Sequence, residues 1–359
     1  MQAAGKGVAM IGPCEDQASS LRRLLGGSTL RSALFIGGDA GIGQTALVAA
    51  TAEVMARRGH AVLVVDAQPQ LRSGAGWFGL SPRGDLAEAL SGQRRLDEVL
   101  LHAAGGVTWV PAARLGPATA SAAADPAAVA AVAARALSDL AVRFDCVLVD
   151  VPADRVRRWW PAAAQAGSVL LGSTTAQRSV TAAYAVLKML ALEVGQQRYL
   201  WWMARAADAG AAEAAWHKVA QTARRFLQVQ VDYAGAMPVD PMVARAERLR
   251  RPLVEAFPGS LAAAASAMLA KRLDVPMPLP GTPEQAWQAL LLGESARAGE
   301  PAQNEKGGAG LAIDRDAPRS PSYSSGLSPD LSPDLSPNPS PSQKLSPFGA
   351  PGRTALVSR

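Results

Sequence analysis

One stretch constrains this chain more than any other: Gly37-Gly38-Asp39-Ala40-Gly41-Ile42-Gly43-Gln44-Thr45. It follows the apolar, β-branched run Arg31 to Ile36 and leads directly into a helical pattern, Gln44 to Arg58. The frame from Gly38 to Thr45 reads G-x-x-x-x-G-Q-T. A phosphate-binding loop requires glycines so that successive backbone N–H groups curl round an anion. It also requires a helix N-terminus aimed at that anion, a lysine on the terminal phosphates and a hydroxyl for Mg²⁺. Gly38, Gly41, Gly43, the helix start and Thr45 meet these requirements, but Gln44 stands where the lysine belongs. A neutral amide lacks the charge-assisted bond an ammonium makes to phosphate, worth about 1.5–3 kcal/mol. Hydrolysis suffers most, because phosphoryl transfer is catalysed by positioning and by stabilising developing negative charge.

The rest of the body has the rhythm that such a loop demands. Short β-branched runs at Arg31 to Ile36, Ala61 to Asp66, Val107 to Pro111, Asp145 to Val151, Ser168 to Gly172, Arg198 to Ala204 and Asp232 to Met237 read as strands. Helical patterns alternate with them at Gln44 to Arg58, Pro126 to Arg143, Ser179 to Glu193, Ala211 to Leu227 and Pro241 to Phe257. This predicts an α/β fold, a doubly wound and mostly parallel sheet, over 28–275. Two strand ends carry acids, Asp66 and Asp150. Beside a phosphate loop such acids hold Mg²⁺ or organise water, and alone they cap a turn.

Beyond residue 299 the composition changes. Ten prolines and eleven serines fall within 61 residues, with the repeat Leu-Ser-Pro-Asp at 327–330 and 331–334, so 299–359 is expected to be a disordered tail. Its six basic and six acidic residues cancel, leaving the net charge of +6 on the body. The start of the chain lacks a continuous apolar core and carries Glu15, Asp16, Arg22 and Arg23, so no secretory signal is read there and a cytoplasmic location is expected. Cys14 and Cys146 are the only cysteines, which argues against a disulfide framework or a cysteine-based metal site. Arginine clusters at 155–158 and 245–251 have few aromatic residues among them and read as solvated faces, so nucleic acid is not the expected partner. In the segment 283–294, Trp287, Leu290 and Leu291 would share one helix face. That face suits either a peripheral membrane anchor or packing back on the domain.

Four stretches together carry a family resemblance, running from about Asp16 to Leu273. They are Asp16-Gln17-Ala18-Ser19-Ser20-Leu21-Arg22, the loop 37–45, Ser179 to Lys188, and Arg225-Phe226-Leu227 leading into Asp232 to Pro238. The chain resembles the MinD/ParA class of deviant Walker ATPases and, within it, the flagellar-number regulators of the FlhG/FleN kind. The resemblance implies an ATP and Mg²⁺ site at Gly38, Gly41, Gly43, Gln44 and Thr45, with Thr45 and Asp150 on the metal. If any activity remains, Asp66 and Asp150 would serve catalysis. It implies that 1–27 is a partner-binding segment in which Asp16, Gln17, Leu21 and Arg22 contact an FlhF-like GTPase. Packing of that segment on the body as an N-capped helix is the alternative. A flagellar transcription activator is the second implied partner. The departures from the family pattern point one way. Asp39 replaces the lysine that reaches across the ATP-bound dimer, Gln44 replaces the second lysine, Gln68 replaces an acid that organises water, and Trp202 falls near an adenine-reading asparagine. The expectation is a regulator acting by protein contact with hydrolysis lost or weak. The alternatives are an active MinD/ParA-type switch in positioning or partitioning, and a cellulose-synthesis accessory protein of the same class.

Overall fold

The computed structural model describes residues 29–69, 74–115, 126–195, 198–275, 277–278 and 282–292. The N-terminal segment 1–27 and the tail 299–359 lie outside the described residues. In chain order the elements are β1 (Thr29–Gly37), α1 (Gln44–Arg57), β2 (Val62–Asp66), α2 (Leu86–Leu90), α3 (Leu96–Val99), β3 (Leu101–His102), β4 (Val107–Pro111), α4 (Pro126–Arg143), β5 (Cys146–Val151), α5 (Trp160–Gln165) and β6 (Ser168–Ser173). They continue with α6 (Gln177–Glu193), β7 (Arg198–Ala206), α7 (Ala209–Leu227), β8 (Gln230–Pro238), α8 (Pro241–Leu249), α9 (Leu253–Ala256), α10 (Leu261–Leu273), β9 (Met277–Pro278) and α11 (Pro283–Leu292). Short 3-10 turns at Gly74–Phe78 and Ala153–Trp159 follow β2 and β5.

The sheet runs β3-β4-β2-β5-β1-β6-β7-β8, with β9 paired to the start of β1. Among the described residues, only the two-residue strands β3 and β9 pair antiparallel. Buried on both faces, β2 and β5 are near-continuous apolar runs, Val-Leu-Val-Val-Asp and Cys-Val-Leu-Val-Asp-Val, as a parallel sheet covered on both sides requires. One apolar layer joins the sheet to α4, α5, α6, α7 and α11, and the other joins it to α1, α8, α9 and α10. Chain connections diverge at β1, with β5, β2 and β4 to one side and β6 to β8 to the other. The loop after β1 therefore opens at the switch point where ligands of such sheets bind.

The expected strands and helices are present, joined by the short elements α2, α3, α5, β3 and β9, which were not expected, and three further differences bear on the argument. The helix expected over 241–257 ends at Leu249, because Arg250 takes φ 51° and Pro252 disfavours helical geometry in the residue before it. A helix capped by Ser260, whose side chain accepts from the Ala263 N–H, adds α10. The third difference corrects the membrane-anchor expectation. Trp287, Leu290 and Leu291 are 1%, 2% and 5% exposed, and α11 packs on α4 and α5. Their shared face is turned into the core, where it buries more apolar area than a grazing contact with a membrane surface would.

Candidate functional site

The loop after β1 lies close against β6 and α6. The Gly38 N–H donates to Gly172 O at 2.8 Å, and a Cβ on Gly38 would stand 2.5 Å from the Ala183 backbone nitrogen. Only glycine permits that approach. At the other end Gly43 caps α1 with φ 94°, a left-handed conformation that costs glycine nothing. Asp39 is half-buried on the loop, and Gly41 is exposed.

Gln44 points inward rather than toward a ligand. Its Nε2 donates to Phe35 O at 3.0 Å, to Val151 O at 3.0 Å and to Asp150 Oδ1. Three acceptors round one nitrogen fix the orientation of the amide, since its own oxygen turned that way would face three others. Asp150 is fully buried and accepts on its other oxygen from Thr45 Oγ1 at 2.7 Å. Gln68 Nε2 donates to Asp150 Oδ1 at 2.9 Å. Burial pushes the Asp150 carboxyl up from its ordinary pKa, against the pull of the Thr45, Gln68 and Gln44 hydrogen bonds. The donors on both oxygens favour the charged form, and burial, which opposes it, is the larger effect.

Asp66 stands opposite Asp150 in the β2–β5 register. Its carboxylate holds the turn after β2, accepting from the Gln68 N–H at 3.0 Å and the Gly74 N–H at 2.7 Å. Asp66 thus helps to place Gln68, which in turn reaches Asp150. Trp202 is 2% exposed and lies against Gly172, where a Cβ would come within 2.3 Å of the indole. It is a core residue, as are Trp201 and Met203.

The structure therefore brings Gly38, Gly43, Gln44, Thr45, Asp150 and Gln68 into one cluster. Asp16, Gln17, Leu21 and Arg22 lie outside the described residues. Gln68, which stands where the family pattern has an acid, is in the fold a donor to Asp150. The available signal was chemical: both altered positions carry glutamine, a side chain able to donate to the retained aspartate. Gln44 turns its amide to Asp150 and brings no charge to a phosphate, and Asp150 Oδ1 carries two amide donors, whereas Thr45, donating its proton to the other Asp150 oxygen, keeps lone pairs that a cation could take. Among the described residues, no group of three or more His, Cys, Asp or Glu could hold a metal.

A sheet of this order with a glycine-rich loop at its switch point defines a P-loop protein of the MinD/ParA type, and the comparisons agree. A family model described as "Cellulose biosynthesis protein BcsQ" matches residues 33–196. The fold is shared with a ParA family ATPase from Chlorobium tepidum TLS, at a TM-score of 0.51 and 15% identity over 67% of this chain and 99% of that one. It is shared as well with the MinD cell division protein of Aquifex aeolicus, at 0.50 and 21% over 69% and 99%. The antiactivator FleN of Pseudomonas aeruginosa is 33% identical over 252 residues, 69% of this chain and 87% of that protein. The chain belongs to the FleN family, and its fold is that of the MinD and ParA structures.

Proposed function

We propose that this protein is a regulator of flagellar number and placement that works in the cytoplasm by protein contact, with a nucleotide site that has lost hydrolysis. The 33% identity to an antiactivator supports the regulatory half of this reading and is the support for a flagellar transcription activator as one partner. The Asp16 to Arg22 motif supports an FlhF-like GTPase as the other, with Gln17 as the residue that acts on it. The observation that carries the second half is the Asp150 carboxylate closed off by Gln44, Gln68 and Thr45. Neither glutamine brings a positive charge to the leaving phosphate, so the electrostatic stabilisation on which phosphoryl transfer depends is missing.

Calorimetry with ATP and Mg²⁺, paired with a phosphate-release assay, tests the site: turnover matching a relative with both lysines would refute the reading. The GTPase contact is tested separately, by a Gln17→Ala chain that should stimulate an FlhF-like GTPase less than wild type does. A cellulose-synthesis role is the second reading, favoured by the family model over 33–196. That match covers the loop and the central strands, which the whole class shares, and it does not reach the Asp16 to Arg22 motif.

A further inference from the structure

Four exposed arginines crowd the edge of the sheet at which the strands β5, β6 and β7 end. Arg157 and Arg158 follow β5, Arg178 follows β6, and Arg205 closes β7. Since β5, β1, β6 and β7 are consecutive neighbours, these residues line a rim on the order of 15 Å long. Arg157 and Arg158 close the 3-10 turn after β5, an end that suits cations, but the folding of the chain calls for no positive charge at Arg178 or Arg205. Arg178 sits in the first turn of α6, a helix end that favours anions, and that turn holds no acid to offset it. Arg205 precedes α7 and takes φ 51°, the left-handed region, at a register irregularity between β7 and β8. A non-glycine residue held there is strained, and such strain gathers at functional positions.

The opposite edge provides the contrast. There Arg31 and Arg58 meet Asp274, Arg198 and Arg272 meet Asp232, and Arg143 meets Asp97. Arg224 and Arg225 occupy the last turn of α7, where a helix end favours cations. On the rim, none of the four arginines faces a carboxylate within ion-pair distance among the described residues. Arg157 instead lies over the Trp160 ring, 5.4 Å from its centroid, which fixes the guanidinium without neutralising it.

We infer that this rim is a docking surface for an acidic segment of a partner protein, a contact additional to that of the N-terminal motif. Asp39 and Asp154 stand on the same edge. A nucleic-acid backbone, with a charge about every 1.7 Å of duplex, would run into them, whereas an acidic peptide can place its carboxylates between them. A second copy of this chain would bring the same arginines against themselves, so self-association through the rim is disfavoured.

The test is fluorescence anisotropy of a labelled dodecaglutamate peptide with the full chain at low and at physiological salt. Two variants remove equal charge: Arg157, Arg158, Arg178 and Arg205 to glutamine, and Lys188, Lys218, Arg224 and Arg225 to glutamine. The rim variant should bind the peptide about tenfold or more weakly than wild type, and the control variant within about twofold of it. The rim variant should melt within a few degrees of wild type, because the Arg157 contact with Trp160 is the one packing interaction lost with the charges. Failure of wild type to bind, or equal loss in both variants, overturns the inference. Tighter rim-dependent binding of a short DNA duplex, or rim-dependent dimerisation in light scattering, overturns it in favour of those partners.

Discussion

Replacing Gln44 with alanine separates two roles for the position. If the side chain served only a ligand, its loss would leave the free protein as stable as before. In the structure it donates to Phe35 O, Val151 O and Asp150 while only 8% exposed. The bond to the buried carboxylate is worth about 1.5–3 kcal/mol, and the two carbonyl contacts share about 0.5–1.5 kcal/mol more. Alanine returns a few tenths through its better helix propensity. The net loss is about 2–4 kcal/mol, roughly 4–16 °C in melting temperature for a domain of this size. Scanning calorimetry of the ligand-free chain measures it directly. Gln44→Glu should be worse than alanine, since it sets a second carboxylate against Asp150 and two carbonyl oxygens. Gln44→Lys should keep stability near wild type, since an ammonium can make the same bonds, and should raise affinity for ATP. An alanine variant melting within about a degree of wild type would show that the amide does not hold the carboxylate.

Three further outcomes follow from burial and charge. Folding raises the Asp150 pKa, so its contribution is most favourable at low pH and is lost as the pH climbs through the raised value. Asp150→Asn should therefore gain on wild type in thermal stability as the pH rises, and a variant that loses ground would contradict this. Asp145 behaves oppositely. Burial works against its ionisation, but the hydrogen bond and charge of His60, the Ala61 N–H and Arg31 outweigh it and hold the pKa below its ordinary value. That stability is present above the ordinary carboxylate range and lost as acid titrates the folded carboxyl. Asp145→Asn should accordingly flatten the acid side of the stability profile. Trp287→Ala should cost about 3–5 kcal/mol by opening a cavity between α11, α4 and α5, and should leave sedimentation with anionic vesicles unchanged. Loss of vesicle binding without loss of stability would revive the anchor.

The sheet was legible because its signal is local. Runs such as Val-Leu-Val-Val at 62–65 and Cys-Val-Leu-Val at 146–149 are apolar on both faces and bounded by turns, so their strands were readable within a residue or so. What escaped were features set by distant partners. Whether Trp287 faces lipid or protein depends on α4 and α5, more than a hundred residues earlier, and both choices present the same periodicity. The break after Leu249 was legible in Pro252, but the helical pattern on either side outweighed it. In the site the loop was readable from spacing alone, whereas the inward turn of Gln44 depends on three acceptors contributed by β1 and β5.

On the proposed reading the glutamines at 44 and 68 act as one feature rather than two. Asp150 is fully buried, and a buried carboxyl without a cation beside it needs hydrogen-bond partners. Lysine and Mg²⁺ would supply positive charge there. Without that charge, an acid at position 68 would add a second anion beside Asp150, while glutamine at both positions points amide N–H groups at the same oxygen, Asp150 Oδ1. Because they share that acceptor, their energies cannot be independent. Removing either glutamine leaves one donor behind, and removing both bares the oxygen. A double-mutant cycle with Gln44→Ala and Gln68→Ala should therefore show the pair losing more than the sum of the single losses, by about 0.5–3 kcal/mol. Strict additivity would mean that the two positions changed for unrelated reasons, and the closed carboxylate would then be a coincidence of packing rather than the replacement of a metal site.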